Sequence, residues 1–408
     1  MNQKILRISD LRRHRNRTLP PAWEATRARF HPQILLTRLF LFLVPLITLA
    51  ETRSLDPSQA KSDPTNATLW YDCQLLPIEG QGWTETASDY DRLPAKAKDH
   101  VRAAVWGLSR HSAGIAVRFV TDASTIHARW GLTSARLAMP HMAATGVSGL
   151  DLYVRDTAGQ WRWLACARPT EQTNTVKLIS GIPKAKRTYM LYLPLYNGVS
   201  SVEIGIPKGK TLAAAPSRPE GRRKPIVFYG TSITHGACAS RPGMVHTAIL
   251  GRRFDRPVIN LGFSGNGRME PEVAALMAEI DASLYVIDCL PNISDQDVRA
   301  RTKPCFQILR KAHPQTPILL VEDRSYADSF LVTAKAERNR AGRAALREIY
   351  DELKAAGDKQ LYYLSGERLL GDDNEGTVDS SHPTDLGFMR QAAAFASVLE
   401  PILHSRAE

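Results

Sequence analysis

Cysteine and histidine are too few and too scattered in this sequence to build a metal site or a disulfide framework. The five cysteines have no closely spaced pair of the kind that binds zinc, and an odd number does not suit a disulfide-stapled domain. Five of the histidines also lack ligand spacing: His111, His127, His141, His235 and His246. We therefore expect no metal, no organic cofactor and mostly buried thiols. A disulfide between Cys238 and Cys289 is an open alternative, which requires that their two loops converge.

Long apolar runs are also missing, with one exception near the N-terminus. Residues 39–50 are twelve uncharged, mostly apolar residues after a basic start, fewer than the about 20 that span a bilayer. Their length is typical of the apolar part of a secretory signal peptide, and Thr48-Leu49-Ala50 can form its cleavage site. Residues 1–50 are thus predicted to be a signal peptide, and the protein to be secreted or periplasmic. The alternative is an uncleaved N-terminal anchor, which is the only membrane contact we expect.

The sequence also lacks a basic segment suited to nucleic-acid binding, although its formal net charge is +12. Residues 1–50 carry nine Lys and Arg against two acidic residues, a net of +7, which leaves only +5 on the remainder of the chain. No basic helix with interleaved aromatic residues remains, so we expect no nucleic-acid partner. The composition, 43% hydrophobic and 23% charged, is that of a soluble globular protein, and 408 residues suffice for two domains with full cores.

The first part of the chain after residue 50 has the texture of a β protein. Residues 51–68 are polar and rich in Pro and Ser, and they are predicted to be a linker. In residues 69–207, apolar and polar residues alternate with a period of two, which predicts the short strands of an antiparallel β-sandwich. Six of the seven tryptophans lie in this region, and we expect most of them in its core. The alternative is that one or two of them stack on sugar rings.

The second part alternates between strands and helices. Residues 208–224 break the β pattern and are predicted to connect the sandwich to a domain at 225–405. In that domain, apolar runs at 226–229, 258–261, 284–287, 318–321 and 361–364 alternate with helical patterns at 269–280, 334–356 and 384–399. This alternation predicts an α/β fold with a doubly wound, mostly parallel five-stranded sheet. Ligands of such sheets bind beyond the carboxyl ends of the strands.

A serine, an aspartate and a histidine follow two of these predicted strands. Gly230 ends the first strand, and Ser232 comes at the turn toward a helix, where a serine is either a nucleophile or a helix cap. Asp379 and His382 follow the fifth strand and are three residues apart. On such a loop the carboxylate can orient the imidazole, whose other nitrogen then takes the proton of the serine. The alternative is an Asx turn before the last helix.

Two further strand ends offer hydrogen-bond donors. After the second strand, residues 260–267 are rich in glycine, which lets backbone N–H groups approach a ligand but also makes a flexible turn. After the third strand, Asn292 can present its side-chain amide to a ligand or cap a turn. Just past the serine, Arg241 can reach a bound substrate or be a solvated loop charge.

In this order the residues resemble the sequence blocks of the SGNH (GDSL-like) hydrolases, which are named for Ser, Gly, Asn and His. The matching positions are Gly230-Thr231-Ser232, the glycines between 262 and 265, Asn292, and Asp379 with His382. Two positions depart from the family pattern. Thr231 replaces the usual Asp, and Leu290-Pro291-Asn292 replaces the usual Gly-x-Asn. In the second block we choose Gly265 over Gly262 as the oxyanion donor.

The β-rich part adds a second resemblance. The residues Gly149-Leu150-Asp151-Leu152-Tyr153 match the Gly-x-Asp-Leu-Tyr signature of the domain that precedes one subgroup of these hydrolases. This resemblance implies a jelly-roll-like sandwich in front of the hydrolase domain. The two resemblances together cover nearly the whole chain after the N-terminal segment.

The resemblance implies a serine esterase that acts through an acyl-enzyme. Ser232 is then the nucleophile, His382 the base and Asp379 its partner, and the N–H groups of Ser232 and Gly265 bind the oxyanion with the amide of Asn292. We expect a small ester or an acylated carbohydrate as substrate, above all an acetylated polysaccharide, because no apolar run suited to a lipase lid is visible beyond the N-terminal segment. The alternatives are a lipase- or thioesterase-type hydrolase and an inactive carbohydrate-binding protein. The oligomeric state stays open.

Overall fold

The computed structural model describes residues 53–404, which all lie in one compact unit. The predicted signal peptide or anchor at 1–50 lies outside the described residues. No helix in the described part of the chain is long and apolar enough to cross a membrane.

The N-terminal domain is built from eleven strands and two short helices. The strands are β1 (Lys61–Ser62), β2 (Thr68–Asp72), β3 (Ile78–Glu79), β4 (Ala116–Thr121), β5 (Thr125–Leu132), β6 (Leu150–Arg155), β7 (Trp161–Ala167), β8 (Thr173–Ser180), β9 (Arg187–Tyr192), β10 (Val199–Pro207) and β11 (Leu212–Ala214). The helices are α1 (Ala103–Ser109) and α2 (Ala144–Val147).

These strands form the predicted antiparallel sandwich. One sheet has the order β1-β2-β10-β5-β8, and the other has the order β11-β4-β9-β6-β7 with β3 also paired to β4. Alternate residues of both sheets point into one shared core, whose largest fully buried side chains include Trp130, Phe119 and Tyr189. The period of two that the sequence shows therefore corresponds to one buried face on each sheet.

Two segments that we predict as connections are in part strands of the sandwich. Within 51–68, β1 pairs with β2, and Leu55 N donates to Leu212 O at 2.7 Å. Within 208–224, β11 pairs with β4. Both strands are very short, and β1 is exposed, so the backbone pairing leaves no alternation of apolar residues in the sequence.

The tryptophans are less buried than we predict. Trp70 and Trp130 lie in the core, with 3% and 0% exposure, whereas Trp83, Trp106 and Trp161 are only partly buried. Trp163 is 51% exposed, and its indole N–H donates to Asp151 at 2.9 Å. The expectation of a position in the sandwich core therefore fails for most of them. Trp83 and Trp106 pack instead against the hydrophobic cluster that contains Tyr229 of the C-terminal sheet.

The C-terminal domain has five strands and six helices. In chain order they are β12 (Ile226–Gly230), α3 (Ser232–His235), α4 (His246–Phe254), β13 (Val258–Gly262), α5 (Pro271–Met277), β14 (Leu284–Asp288), α6 (Asp295–Ala312), β15 (Ile318–Val321), α7 (Thr333–Ala355), β16 (Leu361–Leu364) and α8 (Asp385–His404). The sheet order is β13-β12-β14-β15-β16, and every pairing is parallel. The predicted doubly wound five-stranded sheet is confirmed.

The five apolar runs become strands because both faces of the sheet are covered. In β12, Val227 and Tyr229 point into one core, and Ile226 and Phe228 point into the core on the opposite face. The helix predicted at 269–280 is shorter than expected. Met269 has a left-handed φ of 56°, so the helix begins only at Pro271.

The outer edge of the C-terminal sheet is covered by the N-terminal domain. Phe263 N donates to Gly230 O at 3.0 Å. The backbone N–H and C=O groups of the odd-numbered residues of β13 therefore point toward β12, and those of the even-numbered residues point away from the sheet. There the Arg92 guanidinium donates to the carbonyl oxygens of Asn260 at 3.0 Å and Gly262 at 2.7 Å. Arg92 of the N-terminal domain thus supplies donors to two carbonyls of this edge strand.

Candidate active site

The turn after β12 holds Ser232 at the carboxyl edge of the sheet. A side chain at Gly230 would place its Cβ 2.1 Å from Thr234 Oγ1, so only glycine fits there. Thr231 caps α3, and Ser232 is the first residue of that short helix, with 8% of its surface exposed. Ser232 therefore lies at the point between β12 and β14 where the strand order reverses, which is the ligand site of such sheets.

The structure brings Ser232, His382 and Asp379 together. Ser232 Oγ lies 2.7 Å from His382 Nε2, and His382 Nδ1 lies 2.7 Å from Asp379 Oδ2. The loop that carries the pair is closed by Val378 N, which donates to His382 O at 2.8 Å, and it turns at Ser380, whose φ is 72°. Both ring nitrogens of His382 therefore face their predicted partners, with 150 residues of chain between the serine and the histidine.

Asp379 is held in its ionised form. Partial burial raises the pKa of its carboxyl, but the N–H groups of His382 and Ser381 and the His382 ring outweigh this effect and bring the pKa below its ordinary value. Asp379 Oδ1 accepts from His382 N at 2.8 Å and from Ser381 N at 3.2 Å. A carboxylate fixed in this way can orient the imidazole and stabilise its protonated form.

Gly265, which we predict to be an oxyanion donor, is an exposed residue of the glycine-rich loop after β13. Gly262 N donates to Asn260 Oδ1 at 2.9 Å, so that N–H is not available to a ligand. Gly265 has a left-handed φ of 67°, and within residues 53–404 no acceptor is bonded to its N–H. Ser232 N, at the first position of α3, has no helical acceptor either. The N–H groups of Gly265 and Ser232 therefore have no acceptor among the described residues, and their role as oxyanion donors stays a prediction.

Gly267 joins this loop to the nucleophile turn and to Asn292. Its ideal Cβ would lie 1.8 Å from Gly230 O and 3.3 Å from Thr231 N, so the two backbones touch only because position 267 has no side chain. Its carbonyl accepts from Asn292 Nδ2 at 3.2 Å. Sequence reasoning missed Gly267, although the two-residue spacing of glycines at 265 and 267 is a signal of close backbone approach.

Known proteins match both halves of the chain. Residues 223–400 match the model of the GDSL-like lipase/acylhydrolase family, and residues 68–212 match the model named GxDLY, described as the N-terminus of SGNH-hydrolase-type esterases. A solved structure from Bacteroides ovatus, described as a GDSL-like lipase, is 33% identical over 83% of this chain and 98% of its own, with a TM-score of 0.78. The chain belongs to the GDSL-like lipase/acylhydrolase family.

More distant solved structures share the fold. The salicylyl-acyltransferase SsfX3 from a tetracycline biosynthetic pathway is 20% identical over 86% of this chain and 97% of its own, with a TM-score of 0.63. A family two carbohydrate esterase from Clostridium thermocellum, in complex with cellohexaose, is 16% identical over 72% of this chain and 93% of its own, with a TM-score of 0.52. Among curated proteins there is no match. With its family and its serine–histidine–aspartate arrangement, this GDSL-like hydrolase is a carboxylic ester hydrolase.

A buried ion pair is hydrogen-bonded to α3, the helix that begins at Ser232. Asp288, at the end of β14, accepts from both terminal nitrogens of Arg324, at 2.8 and 2.6 Å. Thr234 Oγ1 donates to Asp288 Oδ2 at 3.2 Å, which ties α3 to this pair. Because Asp288 and Arg324 are 0% and 2% exposed, the pair fixes the strand ends against each other.

Arg241, which we predict to be either a substrate-binding residue or a solvated loop charge, is bonded to the N-terminal domain. Its Nη1 donates to Asp151 Oδ2 at 2.7 Å and to Tyr153 OH at 2.5 Å, and Gly243 N donates to the same Asp151 oxygen at 2.8 Å. Burial raises the pKa of Asp151, although Arg241 opposes this effect. Asp151 and Tyr153 belong to the Gly-x-Asp-Leu-Tyr signature, so the signature binds the segment that follows the nucleophile. Arg241 is therefore a contact between the two domains.

Cys238 and Cys289 do not form the disulfide that the sequence leaves open. Cys238 and Cys289 are both free, and they pack in two different apolar clusters. Cys289 Sγ lies 3.6 Å from Tyr229 O, whereas Cys238 packs in the cluster that contains Ile233. The two thiols therefore do not meet.

A polar cluster lies between the two domains beneath α3. Tyr196 OH donates to Ser232 O at 3.2 Å, and the Tyr196 ring stacks on His235 with 4.1 Å between centroids. Burial, together with the charge of Arg92, holds the pKa of His235 well below its ordinary value and lowers the pKa of His111 to about 4. Both imidazoles are therefore neutral near neutral pH, next to the buried Arg92 guanidinium.

An exposed apolar tip lies on the segment that contacts the catalytic loop. Phe330 and Leu331 are 72% and 75% exposed. The same segment binds the loop at Ser380, because Ala327 N donates to its carbonyl at 2.9 Å and Lys335 Nζ to its hydroxyl at 2.8 Å. Two exposed apolar residues are not the long run of a lipase lid, so the expectation of no such run beyond the N-terminal segment is not contradicted. The tip is too short to stand out in the sequence.

No cluster of metal-ligating side chains occurs within the residues that the structure describes. The described residues 53–404 bring together three of the groups that ester hydrolysis needs: a nucleophile, a base and an orienting carboxylate.

Proposed function

We propose that the protein is an exported serine esterase that removes acetyl groups from a carbohydrate or polysaccharide through an acyl-enzyme. The contact that carries the proposal is the continuous path from Ser232 Oγ through the His382 ring to Asp379, with both distances at 2.7 Å. In the first step His382 Nε2 takes the serine proton while Oγ bonds to the ester carbonyl carbon. The carbonyl oxygen then carries the negative charge.

The oxyanion and the leaving alcohol are handled by different groups. The N–H groups of Ser232 and Gly265 and the amide of Asn292 bind the oxyanion, and each such donor lowers the barrier by about 2.7–4 kcal/mol. His382 returns its proton to the alcohol oxygen, the C–O bond of the ester breaks, and the acyl group stays on Ser232. A water then attacks this acyl-enzyme with His382 as base, which releases the carboxylic acid.

Two observations favour an acetylated carbohydrate outside the cell as substrate. The basic start and the twelve-residue apolar run suit export, which would bring the enzyme to polysaccharides. The structurally similar esterase from Clostridium thermocellum, a family two carbohydrate esterase, was solved with cellohexaose.

A second candidate, hydrolysis of esters with a longer apolar acyl chain, is favoured by one feature. The exposed tip at Phe330 and Leu331 lies on the segment that contacts the catalytic loop. A long acyl chain of the ester can pack against these two side chains. Acetyl and octanoyl esters of p-nitrophenol separate the two candidates. A preference for the acetyl ester supports the first, and a preference for the octanoyl ester supports the second.

The test of the proposed function is the replacement of Ser232 by alanine. In subtilisin, loss of the catalytic serine lowers kcat about 10⁶-fold, and we expect turnover of p-nitrophenyl acetate and acetylated xylan to fall to the background rate. Ser397→Ala is the matched control, because Ser397 is an exposed residue on α8 whose hydroxyl donates to the nearby Ala394 O. Full activity in Ser232→Ala would contradict the assignment.

A further inference from the structure

The loop between β5 and α2 carries an exposed histidine to the catalytic centre from the other domain. His141 lies on this loop, and its ring centroid is 6.1 Å from that of His382, with 47° between the planes. That separation is within the about 4.5–7 Å of neighbouring aromatic rings. A group bound against the outer side of His382 is therefore in reach of His141.

The position of His141 is held by its neighbours in the chain. Met142 is 3% exposed and packs in one cluster with Ile233 of α3 and Phe388 of α8. The backbones of Met139 and Met142 are paired in both directions, at 3.1 and 3.0 Å. Thr145 Oγ1 donates to Ser240 O at 2.6 Å, on the far side of His141 along the chain. The loop that carries His141 is thus packed against α3, which begins at the nucleophile, and against α8, which follows the catalytic loop.

No structural partner accounts for the His141 ring itself. Within residues 53–404, no hydrogen bond or ion pair involves its two nitrogens, whereas both nitrogens of His382 are used by Ser232 and Asp379. His141 is therefore not needed to complete the catalytic arrangement. A neutral imidazole offers one donor and one acceptor, which is the combination that a sugar hydroxyl can meet on both sides.

We propose that His141 is a specificity-determining residue, which hydrogen-bonds a hydroxyl of the alcohol part of the ester while the acetyl group lies over Ser232. The leaving oxygen must lie near His382 Nε2 to receive its proton, so the sugar ring attached to that oxygen extends into the space that His141 borders. The N-terminal domain then contributes directly to substrate choice. This inference rests on the proposed carbohydrate esterase function.

The test compares two substrates in the full-length enzyme. Acetylated xylo-oligosaccharides carry hydroxyls beside the ester, whereas p-nitrophenyl acetate has none. In His141→Ala we expect kcat/KM for the oligosaccharide to fall about tenfold more than kcat/KM for p-nitrophenyl acetate, because one hydrogen bond is lost. His141→Phe keeps an aromatic ring without donor or acceptor, and it should behave like the alanine variant.

Controls separate this inference from the proposed function. His404→Ala changes an exposed histidine at the far end of α8, about 28 Å along the helix from the catalytic loop, and should leave both substrates unaffected. If the two losses in His141→Ala differ by threefold or less, or if His141→Phe keeps the preference, the role of His141 is refuted while Ser232→Ala still tests the esterase. A wild-type enzyme that releases no acetate from the oligosaccharide refutes both.

Discussion

Replacing Gly267 by alanine should separate the glycine-rich loop from the nucleophile turn. The added Cβ would lie 1.8 Å from Gly230 O, whereas carbon–oxygen contacts lie at about 3.3–3.6 Å, so one backbone must move by about 1.5 Å. The donor of Gly265 and the Asn292 amide, which is bonded to Gly267 O, move with the loop. A misplacement of about 1 Å costs about 10²-fold in rate, and loss of one oxyanion donor costs about 10²–10³-fold in kcat.

The assay is the steady-state hydrolysis of p-nitrophenyl acetate, with circular dichroism to show that the variant is folded. We expect kcat of Gly267→Ala to fall about 10²–10³-fold, with a smaller change in KM, because the oxyanion exists only in the transition state. Gly342→Ala is the matched control, since Gly342 lies in α7 and its Cβ would meet nothing within 4 Å. A folded Gly267→Ala variant with kcat within fivefold of wild type would refute the reasoning.

Two further predictions concern the contacts between the domains. Asp151→Asn removes the charge that binds Arg241 and should lower the free energy of unfolding by about 1.5–3 kcal/mol in urea titrations. Asp281→Asn is the control, because it breaks an exposed ion pair that contributes at most about 1 kcal/mol to the free energy of unfolding. Equal losses in the two variants would contradict the prediction. Acid should also destabilise the protein. The pKa values of His235 and His111 are lowered, so the unfolded chain binds more protons below pH about 6.5, and each histidine reduces stability by up to about 1.4 kcal/mol per pH unit as pH falls. His235→Asn should lose less stability than wild type between pH 7.5 and pH 5, and an unchanged loss would count against a neutral buried His235.

The C-terminal fold was predictable because its signals are local. Each of the five strands is a short apolar run, four of them are fully buried, and the observed bounds agree with the predicted runs within one residue. The positions of Ser232, Asp379 and His382 at strand ends could be predicted for the same reason, because parallel strands place their carboxyl ends at one edge.

The contacts between the two domains could not be predicted, because they join residues far apart in the sequence. Arg92 bonds carbonyls of β13 about 170 residues away, and Arg241 bonds Asp151 across 90 residues. Nothing in the local pattern separates such arginines from solvated ones. Gly267 differs from these arginines: the spacing of the glycines at 265 and 267 signals a close backbone approach, but it does not identify Gly230 as the partner.

The most direct test of the central claim is covalent labelling by a fluorophosphonate, followed by peptide mapping in the mass spectrometer. Only a serine activated by a neighbouring base reacts rapidly, so the account predicts one adduct, on the peptide that contains Ser232. The adduct should persist in Ser397→Ala and be absent in Ser232→Ala. An unlabelled wild-type protein, or an adduct on a different serine, would contradict the account.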